Sequence, residues 1–167
     1  MEAVDMLVAI AAVRKIKSQY CYAMDVKDWA LLRRCFTDRA VFDLRRERAR
    51  SRGQSLDQLL PLEEAIAQGD PEVVVGAEAV TKMIQSAIKN WVTVHHLAEP
   101  LIEIENEQEA SAIWPLFDLL DSGDSLLRAW GHYHERYRKV GATWLIDYQA
   151  LTRLRSEGQH PWANKPV

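Results

Sequence analysis

The sequence is poor in the features that mark several large classes of protein. Only two cysteines, Cys21 and Cys35, occur in 167 residues. They lie in apolar helical contexts without metal-ligand spacing, so they read as free buried thiols of a reducing compartment rather than as a disulfide framework. No apolar run approaches the ~18 residues that a membrane helix needs. The N-terminal Met1-Glu2-Ala3-Val4-Asp5 places acids, not a basic region, ahead of its apolar stretch. Neither a membrane span nor a signal peptide is therefore expected, and the expected location is cytoplasmic. A basic surplus is also missing: 21 Lys and Arg stand against 24 Asp and Glu, for a formal net charge of −3. Nucleic acid is thus not an expected partner. With no internal repeat or low-complexity segment, the length fits one domain over residues 1–167.

What is present is periodicity, in two kinds. Residues 4–24 repeat apolar side chains at three- and four-residue steps through Ile10, Val13, Ile16, Tyr20 and Met24, with Arg14, Lys15, Lys17 and Gln19 on the other side, which predicts a helix. The helix should falter near Asp25-Val26-Lys27. Asp28 then offers an N-cap oxygen to a short second helix over 29–36. Thr37-Asp38 reads as a turn before a strand at 40–44. Five arginines follow within eight residues: Arg45, Arg46, Arg48, Arg50 and Arg52. Ser55-Leu56-Asp57-Gln58 has the form of a capping box, and Pro61 can start a helix that Gly69 and Pro71 end. Residues 45–72 read as an inserted surface segment with helical pieces. Helical periodicity returns at 76–90. Period-two patterns then cover about 91–105, 110–120, 125–138 and 143–155, joined by short turns, and an irregular tail starts near 158. Helices first and an antiparallel meander after predict an α+β fold in which a curved sheet wraps the helices and one end stays open for a small apolar ligand.

The chemistry-bearing stretch is Trp91-Val92-Thr93-Val94-His95-His96-Leu97. In a strand, successive side chains point to opposite faces, so His95 shares a face with Trp91, Thr93 and Leu97, and His96 shares the other with Val92 and Val94. An imidazole oriented by a carboxylate can carry a proton, and Asp25 is the leading candidate for that carboxylate. His132, His134 and Arg136 share a face of a later strand. Two histidines at that spacing can ligate a metal, but no acidic or thiol third ligand stands nearby, so a solvated sheet face is expected. The arginine run reads as a solvated loop, or as a greeting for an anionic substrate.

The order and spacing of Tyr20-Cys21-Tyr22-Ala23-Met24-Asp25, Asp28-Trp29, Cys35-Phe36-Thr37-Asp38, Gly76-Ala77-Glu78-Ala79-Val80, Thr93-Val94-His95-His96, Gly131-His132-Tyr133-His134-Glu135-Arg136-Tyr137 and Gly141-Ala142-Thr143-Trp144 leading to Arg153 resemble the SnoaL-like branch of the nuclear-transport-factor-2-like superfamily. The pattern is most similar to bile acid dehydratase and more distantly to scytalone dehydratase and hexachlorocyclohexane dehydrochlorinase. This resemblance implies a cone-shaped α+β barrel and a His–Asp dyad that eliminates a small leaving group without metal or organic cofactor. By position, Asp25 and His95 match the dyad, while Tyr20 and Arg153 match assisting groups. Tyr22, Tyr133 and Trp91 are the expected substrate-binding residues. The expected substrate is a hydrophobic ring-containing small molecule of steroid, polyketide or aromatic type, handled by a homodimer or higher homo-oligomer. The alternative is a non-catalytic ligand carrier or an assembly subunit like the β-subunits of ring-hydroxylating dioxygenases, with Trp91, Trp114 and Trp130 packing an interface.

Overall fold

The computed structural model describes residues 2–159. Helix α1 runs over Ala3–Val26 and ends where Lys27 turns into the left-handed region at φ 63°, its N–H donating to the carbonyls of Ala23 and Met24. Asp28 then caps α2 (Trp29–Arg33), accepting from the Leu31 N–H at 2.9 Å as the sequence predicts. Strand β1 covers Phe36–Asp43 and includes the Thr37-Asp38 pair expected as a turn: Phe36 already pairs with Ile146 on the last strand. The inserted segment forms α3 (Arg45–Ser51), a 3₁₀ turn at Leu56–Gln58 and α4 (Leu62–Ala67). Ser55 makes no capping bond to backbone; its hydroxyl goes to Asp57 instead, which leaves only the 3₁₀ turn. A short strand β2 (Val73–Val75), not foreseen, pairs with β1 ahead of α5 (Ala77–Ile88).

The meander is β3 (Val92–Leu97), β4 (Leu101–Ile104), β5 (Glu109–Asp121), β6 (Leu126–Val140) and β7 (Thr143–Gly158). The stretch expected as one strand over 91–105 is broken at Ala98-Glu99-Pro100 into two, both antiparallel to β5. A proline cannot donate to a ladder, so the chain leaves the sheet there and rejoins it further along the same neighbour. The sheet order is β2-β1-β7-β6-β5-β3, antiparallel except for the β1–β7 pair. The residues of the tail from 160 onward lie outside the described residues.

Helices α1, α2 and α5 fill the concave face. Their apolar side chains, among them Val13, Ile16, Leu32, Val80 and Ile84, form one core with the inward residues of the sheet. Cys21 and Cys35 are free and buried in it, and burial pushes their thiols up to about 12 and about 11. Register sorts the sheet residues by face. The inward rows include Ile102–Ala112–Glu135–Gln149, Trp114–Tyr133–Leu151 and His95–Asp118–Ala129. Between these rows, Gly131 sits so close to β7 that a Cβ would meet the Thr152 carbonyl oxygen at 2.0 Å. Only glycine lets the two backbones approach at this bulge. Strand β1 stops opposite Ala150, and α3 lies along the rest of the β7 edge. There the Glu47 carboxylate accepts the Arg153 backbone N–H at 2.7 Å. An otherwise unpaired edge donor is thus satisfied by a side chain.

Candidate active site

His95 and Asp25 meet across the concave face. The Asp25 carboxylate, in the last turn of α1, lies 2.6 Å from His95 Nδ1, and its other oxygen accepts the His95 backbone N–H at 3.0 Å. Thr93, one step along the same face of β3, donates to Asp25 Oδ1 at 2.9 Å, and Lys27 Nζ donates to the Thr93 hydroxyl at 2.7 Å. The dyad is shielded: the His95 side chain is 5 % exposed and that of Asp25 25 %. Burial alone would push the Asp25 carboxyl up. The hydrogen bonds and charge from His95, with the Thr93 hydroxyl, outweigh it and hold the group below the usual carboxylate value. An ionised Asp25 makes Nδ1 the donor of the pair, so that in the neutral tautomer of the ring the lone pair is on Nε2. Among the described residues the structure gives Nε2 no protein hydrogen-bond partner. His96 points to the other face, against the Phe117 ring at 6.2 Å, as strand alternation requires.

Sequence reading overlooked the residue that faces His95. Asp118 pairs with it directly in the β3–β5 register and is buried, which places the two Cβ atoms about 5 Å apart. The signal was legible in the period of β5, where Asp118 falls between Leu116 and Leu120 on the inward face. Asp118 Oδ2 accepts from Arg153 at 2.6 Å, and Arg153 also reaches Glu47 at 3.4 Å. The arginine spans β6 over Ala129 and Gly131, residues small enough to let it cross. Burial would lower the guanidinium, but Asp118 and then Glu47 outweigh it and raise it further. Two polar atoms here remain buried without a partner, Asp118 Oδ1 and Arg153 Nε.

Tyr20 and Tyr133 are buried and pack edge to face at 6.0 Å, with Phe36 on the far side of Tyr20. Burial raises both hydroxyls well above the usual tyrosine value, so both are neutral donors. The Tyr133 hydroxyl lies in the field of Asp118 and Arg153, whereas Tyr20 contacts Phe36, Lys17 and Tyr133, and its hydroxyl lies in the field of Glu135 beside Gln149. Trp91 is half-buried in the turn from α5 to β3 and packs on Leu120, Leu127 and Ala129, beside the His95 row. Tyr22 is a correction: it is 61 % exposed on the solvent side of α1, remote in orientation from the concave face.

Lys17 is a second correction. Expected on the outer side of the helix, it is fully buried, donating to Glu135 at 2.5 Å and lying 3.4 Å from the centre of the Tyr133 ring. Tyr137 and Gln149 complete the shell around Glu135, and Trp114, expected at an interface, is buried and donates to the Tyr137 hydroxyl at 2.9 Å. The helical spacing does carry the hint. Lys17 stands between Val13, Tyr20 and Cys21 on the buried stripe. A third correction concerns the outer face of β6. His132 and His134 are half-buried under α3 rather than solvated; burial first, then Arg46 and His132, pull His134 down to about 4. The arginine run is helix α3, not a loop, and Arg45 is buried in a forked pair with Asp43.

With this geometry in place, comparison with known proteins is informative. The sequence profile of the SnoaL-like domain matches residues 5–149. The chain belongs to the SnoaL-like family. No curated protein matches it. Among solved structures it is similar to one from Novosphingobium aromaticivorans described as a scytalone dehydratase, at 16 % identity, TM-score 0.76, covering 99 % of this chain and 97 % of that one. It is also similar to a hexachlorocyclohexane dehydrochlorinase from Novosphingobium barchaimii, at 13 % identity, TM-score 0.71, covering 99 % and 100 %. A third, described as an aromatic ring hydroxylase from Novosphingobium aromaticivorans, shares 18 % identity at TM-score 0.68, covering 89 % and 92 %. At these identities the likeness is one of fold: the SnoaL-like cone, with helices in the concave face of a curved sheet.

Proposed function

We propose that this SnoaL-like chain is a cofactor-independent acid–base enzyme of the dehydratase or isomerase type, acting on a hydrophobic ring-containing small molecule. The observation that carries the reading is the His95–Asp25 contact of 2.6 Å on the shielded concave face. Its companion is the pair of unpartnered buried atoms on Asp118 and Arg153. The fold likeness to the two structures described as eliminating enzymes points the same way.

In the proposed elimination, His95 Nε2 takes a proton from the carbon next to an activating carbonyl, and Asp25 balances the imidazolium. The C–H pair becomes the new C=C bond, the C–O bond of the leaving hydroxyl breaks, and the proton returns from His95 so that water departs. The Arg153 Nε–H, with the neutral Tyr133 hydroxyl beside it, receives the oxygen that gains charge, and Asp118 Oδ1 accepts from a ligand hydroxyl. Tyr20 acts through Tyr133, against which it packs. Isomerisation uses the same first transfer with return of the proton to a different carbon.

The test is incubation with a panel of cyclic ketones and hydroxy-steroids, with mass spectrometry of both bound and released species. The expected result is retention or conversion of a ring-containing ketone, with His95→Gln and Asp25→Asn each lowering turnover by about 10² or more. Turnover that survives both substitutions removes the mechanism. A second reading, a non-catalytic binding or assembly subunit, rests on the convex aromatic row of His96, Phe117 and the 38 % exposed Trp130. Retention of a ligand without any conversion across the panel favours it.

A further inference from the structure

The convex face of the sheet carries a second constellation that the dyad does not use. Two adjoining grooves, of about 410 and 770 Å³, share Arg136 and Tyr148 as a common wall. The Arg136 guanidinium stacks on the Tyr148 ring at 4.6 Å. The smaller groove is closed by the inserted segment, which contributes Arg46 and the leucines Leu56, Leu59, Leu60 and Leu62. The larger one continues over Leu101, Ile113 and His134.

At the smaller groove charge does not balance: Asp43 is the one acid in a lining that carries Arg45, Arg46 and Arg136. Arg45 is matched by Asp43, and Arg48 and Arg52 reach Glu72. Among the described residues Arg46, Arg50 and Arg136 have no carboxylate partner, and the Nε atoms of Arg46 and Arg50 are buried without any hydrogen-bond acceptor. A buried guanidinium N–H left without an acceptor costs free energy on the scale of about 1–3 kcal/mol or more. An acceptor supplied from outside relieves that cost, and guanidinium forks match oxyanions. The leucines beside them provide an apolar wall for the remainder of the same molecule.

We propose that this convex groove is a binding site for an amphipathic small-molecule anion: an oxyanion head, carboxylate or phosphate, held by Arg46 and Arg136, with an apolar chain or ring lying on the leucines of the inserted segment. The site is separate from the dyad, on the opposite face of β6. Groups facing His134, which lines the larger groove beside the shared wall, are Arg46 from α3, His132 and Arg136 from its own strand, and Tyr148 and Thr152 from β7, the last at 3.0 Å from His134 Nε2. His134 is therefore a local reporter for occupation.

The experiment titrates the full chain with decanoate, decyl phosphate, decanol and inorganic phosphate. Calorimetry follows affinity, and the imidazole resonances of His134 and His95 are followed by NMR. Binding of decanoate or decyl phosphate that moves His134 and leaves His95 in place is the expected result, and which of the two binds more tightly identifies the head group. Decanol and inorganic phosphate are each expected to bind at least about tenfold more weakly, since each lacks one half of the recognition. The Arg46→Gln, Arg136→Gln double variant is expected to lose about tenfold or more in affinity, while Arg48→Gln, altered on the exposed side of α3, keeps it. Four results overturn the proposal: no binding of either amphiphile, movement of His95 without His134, equal affinity for decanol, or equal weakening by Arg48→Gln. None of these bears on the dyad, whose test is turnover.

Discussion

The two faces of strand β6 present the same residue types in opposite electrostatic settings. On the concave face the buried basic groups have carboxylates: Lys17 has Glu135, Arg153 has Asp118 and Glu47, and the His95 imidazole has Asp25. On the convex face His134 stands beside Arg46, His132 and Arg136 with, among the described residues, no acid bonded to it, and burial with the two nearest basic groups brings its pKa down to about 4. The contrast shows what makes a histidine serviceable for proton transfer. Burial is common to both imidazoles; the carboxylate that fixes the tautomer and balances the cation belongs to only one.

The largest effect expected from disturbing this contrast comes from unbalancing the concave side. Replacing Lys17 by Met leaves Glu135 buried without its cation and should cost about 3–5 kcal/mol in a denaturant melt, whereas Lys17→Met with Glu135→Leu should recover most of the loss. Arg153→Lys is next. A lysine cannot span Asp118 and Glu47 with a planar fork, so turnover should fall about tenfold, and amide exchange in α3 should quicken because Glu47 loses a partner. A double variant no more stable than the single, or an α3 that exchanges unchanged, contradicts these assignments.

The convex side gives a pH effect with a definite sign. The folded-state value of His134 lies below the ordinary 6.5, so the folded protein binds its proton less readily than the unfolded chain does. Its neutral form is favourable above about 6.5; stability from this group declines as pH drops from there toward about 4. Asp25, held below its ordinary value, contributes stability at neutral pH that is lost only at lower pH, as the solution falls through its folded value. A melt series from pH 7 to 4 should therefore be flatter for His134→Asn than for the parent. The smallest effect is at Tyr22, whose exposed ring should be replaceable by alanine within about 0.5 kcal/mol and without change in ligand retention.

Much of this was readable along the chain, and the exceptions have physical causes. Period-two alternation places His95 and His96 on opposite faces, and the Asp28 cap and the helix from Pro61 follow from local chemistry alone. Lys17 was misplaced because charge was weighed above position: its spacing from Val13 and Tyr20 puts it on the buried stripe, but the acid that makes burial tolerable lies 118 residues later. Asp118 was overlooked for a related reason. Its inward position is evident from the alternation, yet its meaning depends on the strand register that sets it against His95 and on an arginine in another strand. The solvated-loop reading of the arginine run failed because Glu47 finds its partner, Arg153, 106 residues later in β7, beyond the reach of local pattern, whereas the Asp43–Arg45 pair two residues apart was there to be read. The break at Pro100 was visible, but not that both halves would return to one neighbour.

The narrow approach at Gly131 ties these two settings together. The carbonyl a side chain would strike there belongs to Thr152, whose hydroxyl meets His134 on one surface, and the next residue is Arg153, which reaches Asp118 on the other. A methyl group at that point would have to push β7 aside, disturbing the proton-handling side and the cationic side in a single stroke. The absence of a side chain at one position is what lets a strand serve two environments at once.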